Sequence, residues 1–323
     1  MSKLYQIRHV TRYRYENDIT ENFMEVRKCP VTRGRQRCMS FDIKVEPKSK
    51  LARIEEFTGN IVHHFDIPQP HRQMIVTAES LVEIRDSKAP EIVLDAQSWS
   101  QIRELENESD FLDSILPSSI VRETDVLKAL FSKTKPKGDE DPYTFLRRIN
   151  QEISQRFEYV TSSTQVDSPL DEALSKKQGV CQDFAHIFIG LARMAKIPTR
   201  YVSGYLFHRQ NEEDRSLSDA SHAWAEAYLP GHGWVGFDPT NNIRATDRHI
   251  VVCVGRDYKD VPPTRGIYRG QCSSELSVAV QVHPADTPPV ADQFRRMDES
   301  DLKSDVWLKE NPWALDAQQQ QQQ

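Results

Sequence analysis

The stretch Gly179-Val180-Cys181-Gln182-Asp183-Phe184-Ala185-His186-Ile187-Phe188-Ile189-Gly190-Leu191-Ala192-Arg193 decides the reading of this chain. A polar run, Ser175-Lys176-Lys177-Gln178, comes just before it. After Cys181, apolar residues recur at Phe184, Ile187, Phe188, Leu191, Ala192 and Ala195. Steps of three and four residues are the helical period. Pro198 sets the limit of that helix, since proline and its predecessor resist helical geometry. Cys181 therefore stands in the first turn of a helix with a core-facing side. Backbone N–H groups are free at that end and the helix dipole is positive there. Both favour a thiolate. A lone cysteine is ordinarily an inert core residue, so Cys181 acquires meaning only with partners.

Two partners follow downstream. Ser221-His222-Ala223-Trp224-Ala225-Glu226-Ala227-Tyr228 alternates large polar or aromatic residues with alanine, a strand pattern. Pro230-Gly231-His232-Gly233 makes a turn, and Trp234-Val235-Gly236-Phe237-Asp238 reads as the returning strand. His222 and Asp238 then lie near the open end of one hairpin. An imidazole there can take the thiol proton of Cys181, and a carboxylate can hold the ring in the required tautomer.

These motifs, taken in this order, resemble the bacterial transglutaminase-like superfamily. GVCQDFAHIFIGLARMAKIPTRYVSGYL and SHAWAEAYLPGHGWVGFDPTNN carry the likeness, within a core of roughly residues 140–245. The resemblance implies a papain-like core and a catalytic triad of Cys181, His222 and Asp238. It does not fix the reaction, because the superfamily holds protein cross-linkers, peptidases and peptide N-glycanases.

The 323 residues suffice for two modest domains. Residues 3–15 alternate as a strand, and further strands are expected near 24–30, 38–46, 51–57, 61–67 and 73–84. Closely spaced strands without helices imply a small β-sandwich. The resemblance implies the same N-terminal β-domain. The predicted class is α+β: an N-terminal β-sandwich over 1–105, a papain-like catalytic core over 106–285, and a polar flexible tail over 286–323. Asp141-Pro142 caps and opens a helix with Phe145, Ile149 and Ile153 on one face. The strands at 249–254 and 277–283 are assigned to the core, and the loop 257–269 to a wall of the cleft. The tail ends in six glutamines, Gln318–Gln323.

Composition narrows the function classes. The net charge of −6 without a basic concentration argues against nucleic acid as a partner. No run approaches the length of a membrane span, and Met1-Ser2-Lys3-Leu4 leads directly into a strand pattern. The expectation is a cytoplasmic protein with no membrane partner. The five cysteines, Cys29, Cys38, Cys181, Cys253 and Cys272, include no C-x-x-C pair and form no disulfide framework. His63, His64 and His71 lack metal-ligand spacing and read as a solvent-facing cluster.

Around the nucleophile, His186 is read as a core hydrogen-bonding residue and Asp183 as a cap turned away from the sulfur. Glu226 is read as a partner of His222. The Cys181 backbone N–H is an oxyanion donor, with Tyr159 either a second donor or a packing residue. The expected function is a thiol enzyme acting on the amide bonds of a peptide or protein substrate through a thioester, without metal or organic cofactor. Hydrolysis by a cysteine peptidase or amidase is the first reading. A protein-glutamine transamidase and a non-catalytic peptide-binding protein are the alternatives.

Overall fold

A computed structural model describes residues 2–85, 91–161, 163–165, 167–209, 214–216 and 220–285. The expected tail, 286–323, and residues 210–213 and 217–219 lie outside these residues. The described chain divides into two compact units. One holds 2–85, 220–221 and 263–285; the other holds 91–216 and His222–Pro262.

The first unit is built on β1 (Lys3–Cys29), with β2 (Gln36–Glu46), β3 (Ala52–Glu55), β4 (Ile61–Ile67) and β5 (His71–Ile84) in the order β2-β5-β1-β4-β3. The expected strands at 3–15 and 24–30 are one continuous strand. Neither glycine nor proline interrupts residues 15–24, so the polar Glu16-Asn17-Asp18 stretch does not end it. The strand bends instead, with a register shift against β5 after Arg14 and a left-handed Glu21 (φ 49°). Its two halves then serve different neighbours, β5 for Lys3–Arg14 and β4 for Asn22–Cys29. A core of Tyr15, Ile19, Met24, Val26, Val45, Phe65, Ile67, Met74 and Val76 closes between them. His63 and His71 are buried, contrary to the expected solvent-facing cluster. His63 stacks on Phe41 at 5.2 Å, and the His71 ring lies 3.3 Å from the Asn22 amide.

The second unit begins with α1 (Ser98–Leu105), α2 (Leu112–Ile115), α3 (Asp125–Thr134) and α4 (Pro142–Arg156). Asp141 caps α4 as its sequence predicts, accepting from the Tyr143 and Thr144 amides. Then come β6 (Glu158–Tyr159), α5 (Leu170–Lys176), β7 (Gln178–Gly179) and α6 (Cys181–Met194). The remaining strands are β8 (Thr199–Leu206), β9 (His222–Leu229), β10 (Gly233–Asp238), β11 (Ile243–Arg244) and β12 (His249–Gly255). They form an antiparallel sheet in the order β11-β10-β9-β8-β12. Helix α6 packs on β8 and β9, with α3, α4 and α5 against it. This is the expected α+β arrangement: a β-rich N-terminal unit and a helix-plus-antiparallel-sheet core.

The last two strands depart from expectation. β13 (Thr264–Arg269) and β14 (Ser274–Ala285) both pair with β1, not with the sheet of the second unit. Their residues were expected within a catalytic segment running to 285 and, at 264–269, in a cleft wall. β14 carries Leu276, Val278 and Val280 on alternate positions, set opposite Tyr13, Thr11 and His9 of β1. That period-two match to a long unpaired edge decides its place.

Helix α6 is more deeply set than an amphipathic helix. Every residue from Cys181 to Arg193 is buried. Arg193 is tolerated because its guanidinium donates to five backbone carbonyl contacts: Ser114 O (3.0 Å), Leu116 O (3.1 Å), Arg256 O (2.9 Å) and Thr199 O twice (3.1 and 2.8 Å). Burial still pulls its pKa down to about 10, so it stays charged at neutral pH. Arg193→Met leaves those carbonyls without donors. It should cost about 3–5 kcal/mol of stability, read by urea unfolding with an unchanged m-value.

Candidate active site

Cys181 is the first residue of α6, after Val180 in extended conformation (φ −115°, ψ −178°). Asp183, three residues after Val180, turns back over this end. Its Oδ2 accepts from the Val180 amide at 2.9 Å and from the Thr164 hydroxyl at 2.6 Å. That is the carboxylate half of a capping box, and it turns Asp183 to the helix end as the sequence suggested. Gly179 is required beneath it, since a Cβ there would lie 2.9 Å from Asp183 Cβ and Oδ2.

Burial pushes the Asp183 carboxyl up to about 6, against the opposing hydrogen bonds of Thr164 and Val180. A carboxyl with a raised folded-state pKa contributes stability below its unfolded pKa. That contribution is lost as pH rises through about 6. Asp183→Asn keeps an oxygen for both donors and does not titrate. Its stability relative to the native chain should therefore rise by about 2–3 kcal/mol between pH 4 and pH 7. Parallel urea titrations at the two pH values check this.

His222 opens β9 and Asp238 closes β10. The ladder pairs Phe237 with Ala225, so the two meet just beyond its last pair. His222 Nε2 lies 2.8 Å from Asp238 Oδ2. The His222 Nδ1 is buried and makes no hydrogen bond within the described residues. The Cys181 thiol is close enough to act on that ring. Burial alone would drive the imidazole neutral. Asp238, with a smaller push from Cys181, outweighs it and moves the pKa up to about 10. Cys181, His222 and Asp238, separated by up to 57 positions in sequence, thus converge in one buried cluster.

Asp238 is the electrostatic centre. It is wholly buried and receives five hydrogen bonds. Oδ1 accepts from the Thr240 and Asn241 amides (3.0 and 3.2 Å). Oδ2 accepts from the Asn241 side-chain amide (2.8 Å), His222 Nε2 (2.8 Å) and His249 Nε2 (3.2 Å). Burial opposes its ionisation, but the two imidazoles overcome this and hold it far below the usual carboxylate range. Trp224, fully buried, lies against both rings, 6.0 Å from His222 and 5.1 Å from His249. The indole passes over Gly204, where a Cβ would be 2.7 Å from its ring and 2.1 Å from the Ile250 carbonyl oxygen.

His222, Asp238 and His249 also present three ligand atoms within 4.8 Å of one another. The protonation pattern does not suit a metal. The Thr246 amide donates to His249 Nδ1 at 3.1 Å, so the proton of the neutral ring sits on Nε2, the atom that would have to face the ion.

The other expected residues separate. Glu226 pairs with Arg200 at 2.9 Å, not with His222, because opposite-charge neighbours on β8 and β9 face each other there. His186 accepts from the Tyr258 amide at 3.2 Å and stacks near Tyr201, a core role. Tyr159 lies opposite Gly179 in the β6·β7 pair, with its ring edge-on to Phe184 at 6.2 Å. Asn241 and His249 were not anticipated as site residues. A histidine opening an otherwise apolar strand, His249-Ile250-Val251-Val252, was the available signal for the second.

The core description of the transglutaminase-like superfamily matches residues 131–239, and that of the bacterial transglutaminase-like N-terminal region matches 5–83. The chain belongs to the transglutaminase-like superfamily. An uncharacterized Mycobacterium leprae protein is 32% identical over 275 residues, 85% of this chain and 96% of its own length. A Mycobacterium tuberculosis counterpart is 32% identical over 302 residues, 87% of this chain and 92% of its own. A protein-glutamine gamma-glutamyltransferase of Pseudomonas aeruginosa is 31% identical over 103 residues, 30% of this chain and 15% of that one. Among solved structures, a candidate cysteine protease from Cytophaga hutchinsonii superposes with a TM-score of 0.70 at 19% identity, covering 90% of this chain and 93% of its own. At that identity the likeness speaks for the fold. Among the described residues, no helix is long and apolar enough to cross a membrane.

Proposed function

We propose that this protein is a thiol enzyme that cleaves amide bonds of a peptide or protein through a Cys181 thioester. The observation that carries this is the buried His222–Asp238 pair at 2.8 Å, with His222 Nδ1 unpartnered beside a thiol at a helix N-terminus. His222, its pKa raised to about 10, already carries the Cys181 proton on Nδ1 at neutral pH, and the thiolate sulfur attacks the carbonyl carbon. The imidazolium is held by Asp238. The tetrahedral oxyanion is stabilised by N–H groups at the start of α6, Cys181 N–H among them. His222 then protonates the leaving amine, the C–N bond breaks, and the thioester remains. Water, deprotonated by His222, releases the acid and restores the thiol.

Hydrolysis is the preferred outcome because it needs only water and the His222 base to release the acid. The M. leprae and M. tuberculosis relatives match along nearly their whole length, whereas the glutamyltransferase shares only a segment. The test is to incubate the protein with peptide and glutamine-containing substrate pools, with and without a primary amine, and to follow Cys181 and products by intact mass spectrometry. A transient acyl adduct on Cys181 that decays to free acid is the expected result. Decay to an amine conjugate would assign transamidation, and failure to acylate with any pool would contradict the enzyme reading.

A further inference from the structure

We infer that His249 is a positioning residue of this site: a fixed neutral donor that shares the Asp238 carboxylate with His222 and limits how tightly that carboxylate retains the His222 proton. The inference rests on the thiol-enzyme reading above.

The tautomer is set by the backbone. The Thr246 amide donates to His249 Nδ1 at 3.1 Å, and the His249 amide returns a bond to the Thr246 carbonyl at 3.2 Å. The turn before β12 therefore locks the ring. Nε2 must carry the proton and donate it to Asp238 Oδ2 at 3.2 Å. The ring stays neutral because it is fully buried beside competing charge. Burial depresses its pKa first, and the His222 and Arg248 charges add to this against the pull of Asp238.

The consequence falls on Oδ2, which His222 also uses, at 2.8 Å. A carboxylate oxygen that accepts a further donor is a weaker base toward its other donors. With Asp238 unopposed, His222 would hold its proton too firmly to act as an acid toward a leaving amine. His249 shifts the balance without adding charge. The titratable and charged groups around this centre are Cys181 on α6, His222 on β9, Asp238 on β10, Arg248 in the turn before β12, and His249 at the start of β12. Tyr201 on β8 faces Cys181. Arg248 is itself held by Asp214 at 2.7 Å, which His208 also approaches at 3.1 Å.

The experiment measures iodoacetamide alkylation of Cys181 in the full chain across pH 4–11. It compares native protein, His249→Phe, which keeps ring volume but has no donor, and His249→Gln, which restores an N–H near the Nε2 position. The alkaline transition of the profile marks loss of the His222 proton. His249→Phe should move it upward by about one pH unit, and His249→Gln should return it toward the native position. A transition that stays in place or moves down in His249→Phe overturns the inference, even if that variant is less stable. Should His249→Phe fail to fold, 15N resonances of the native histidines decide. His249 must show a protonated Nε2 and a bare Nδ1 throughout the titration of His222, and a titrating His249 or the opposite tautomer overturns the proposal. Failure of the thiol-enzyme reading looks different: the native profile would then coincide with that of His222→Ala.

Discussion

Asp238→Ala lowers the stability of its unit by about 3–5 kcal/mol and removes the activation of Cys181. The stability loss comes from what the carboxylate leaves behind. Five donors converge on it: the Thr240 and Asn241 amides, the Asn241 side chain, His222 Nε2 and His249 Nε2. Asp238 is itself entirely shielded from water. Each stranded donor carries its own desolvation cost. Asp238→Asn separates the two consequences. It retains one acceptor oxygen for the backbone amides and so should unfold closer to the native protein. Its NH2 group, however, faces the N–H of His222. The ring answers by moving its proton to Nδ1, where it points at the thiol and can no longer accept. Urea unfolding should rank the stabilities native, Asn, Ala, while thiol alkylation at pH 7 should be slow in both variants. An Asn variant with native alkylation would remove Asp238 from the chemistry.

Cys181→Ala abolishes acylation and lowers turnover of any accepted amide by about four orders of magnitude or more. The loss is large because no other nucleophile stands in the cluster. Cys253, the other cysteine of this unit, lies within β12 and is buried, and His186 is committed to the Tyr258 amide. What remains is the contribution of binding and of any oxyanion donor. Removing the sulfur deletes a small buried group, so the thermal transition should change little. Turnover within tenfold of native in a folded Cys181→Ala protein would place the chemistry elsewhere.

The fold was legible where the chain repeats a period. The three- and four-residue spacing after Cys181 gave α6, the alanine alternation of 223–227 gave β9, and Asp141-Pro142 gave the start of α4. The cluster of Cys181, His222 and Asp238 was legible because each residue sits at an element end, and ends are marked by turn residues. Long-range pairing was not. Leu276, Val278 and Val280 announce a strand, but nothing local says that its neighbour is β1, some 265 positions away, and not β12. Burial of His63 and His71 was hidden for a related reason. Histidine is as compatible with a satisfied interior as with solvent, and the partners that settle it, Phe41 and Asn22, come from other strands. Glu226 shares the His222 face, yet Arg200 from the adjacent strand claims it. His249 was missed because its meaning depends on a backbone amide, at Thr246, and a carboxylate eleven residues upstream.

The most direct test of the account is the rate of Cys181 alkylation by iodoacetamide as a function of pH, read by mass spectrometry in the native protein and in His222→Ala. The account predicts fast labelling at pH 6, where an ordinary thiol with a pKa near about 8.5 reacts slowly, and loss of that fast phase in His222→Ala. Superposable profiles, both following an ordinary thiol titration, would contradict it.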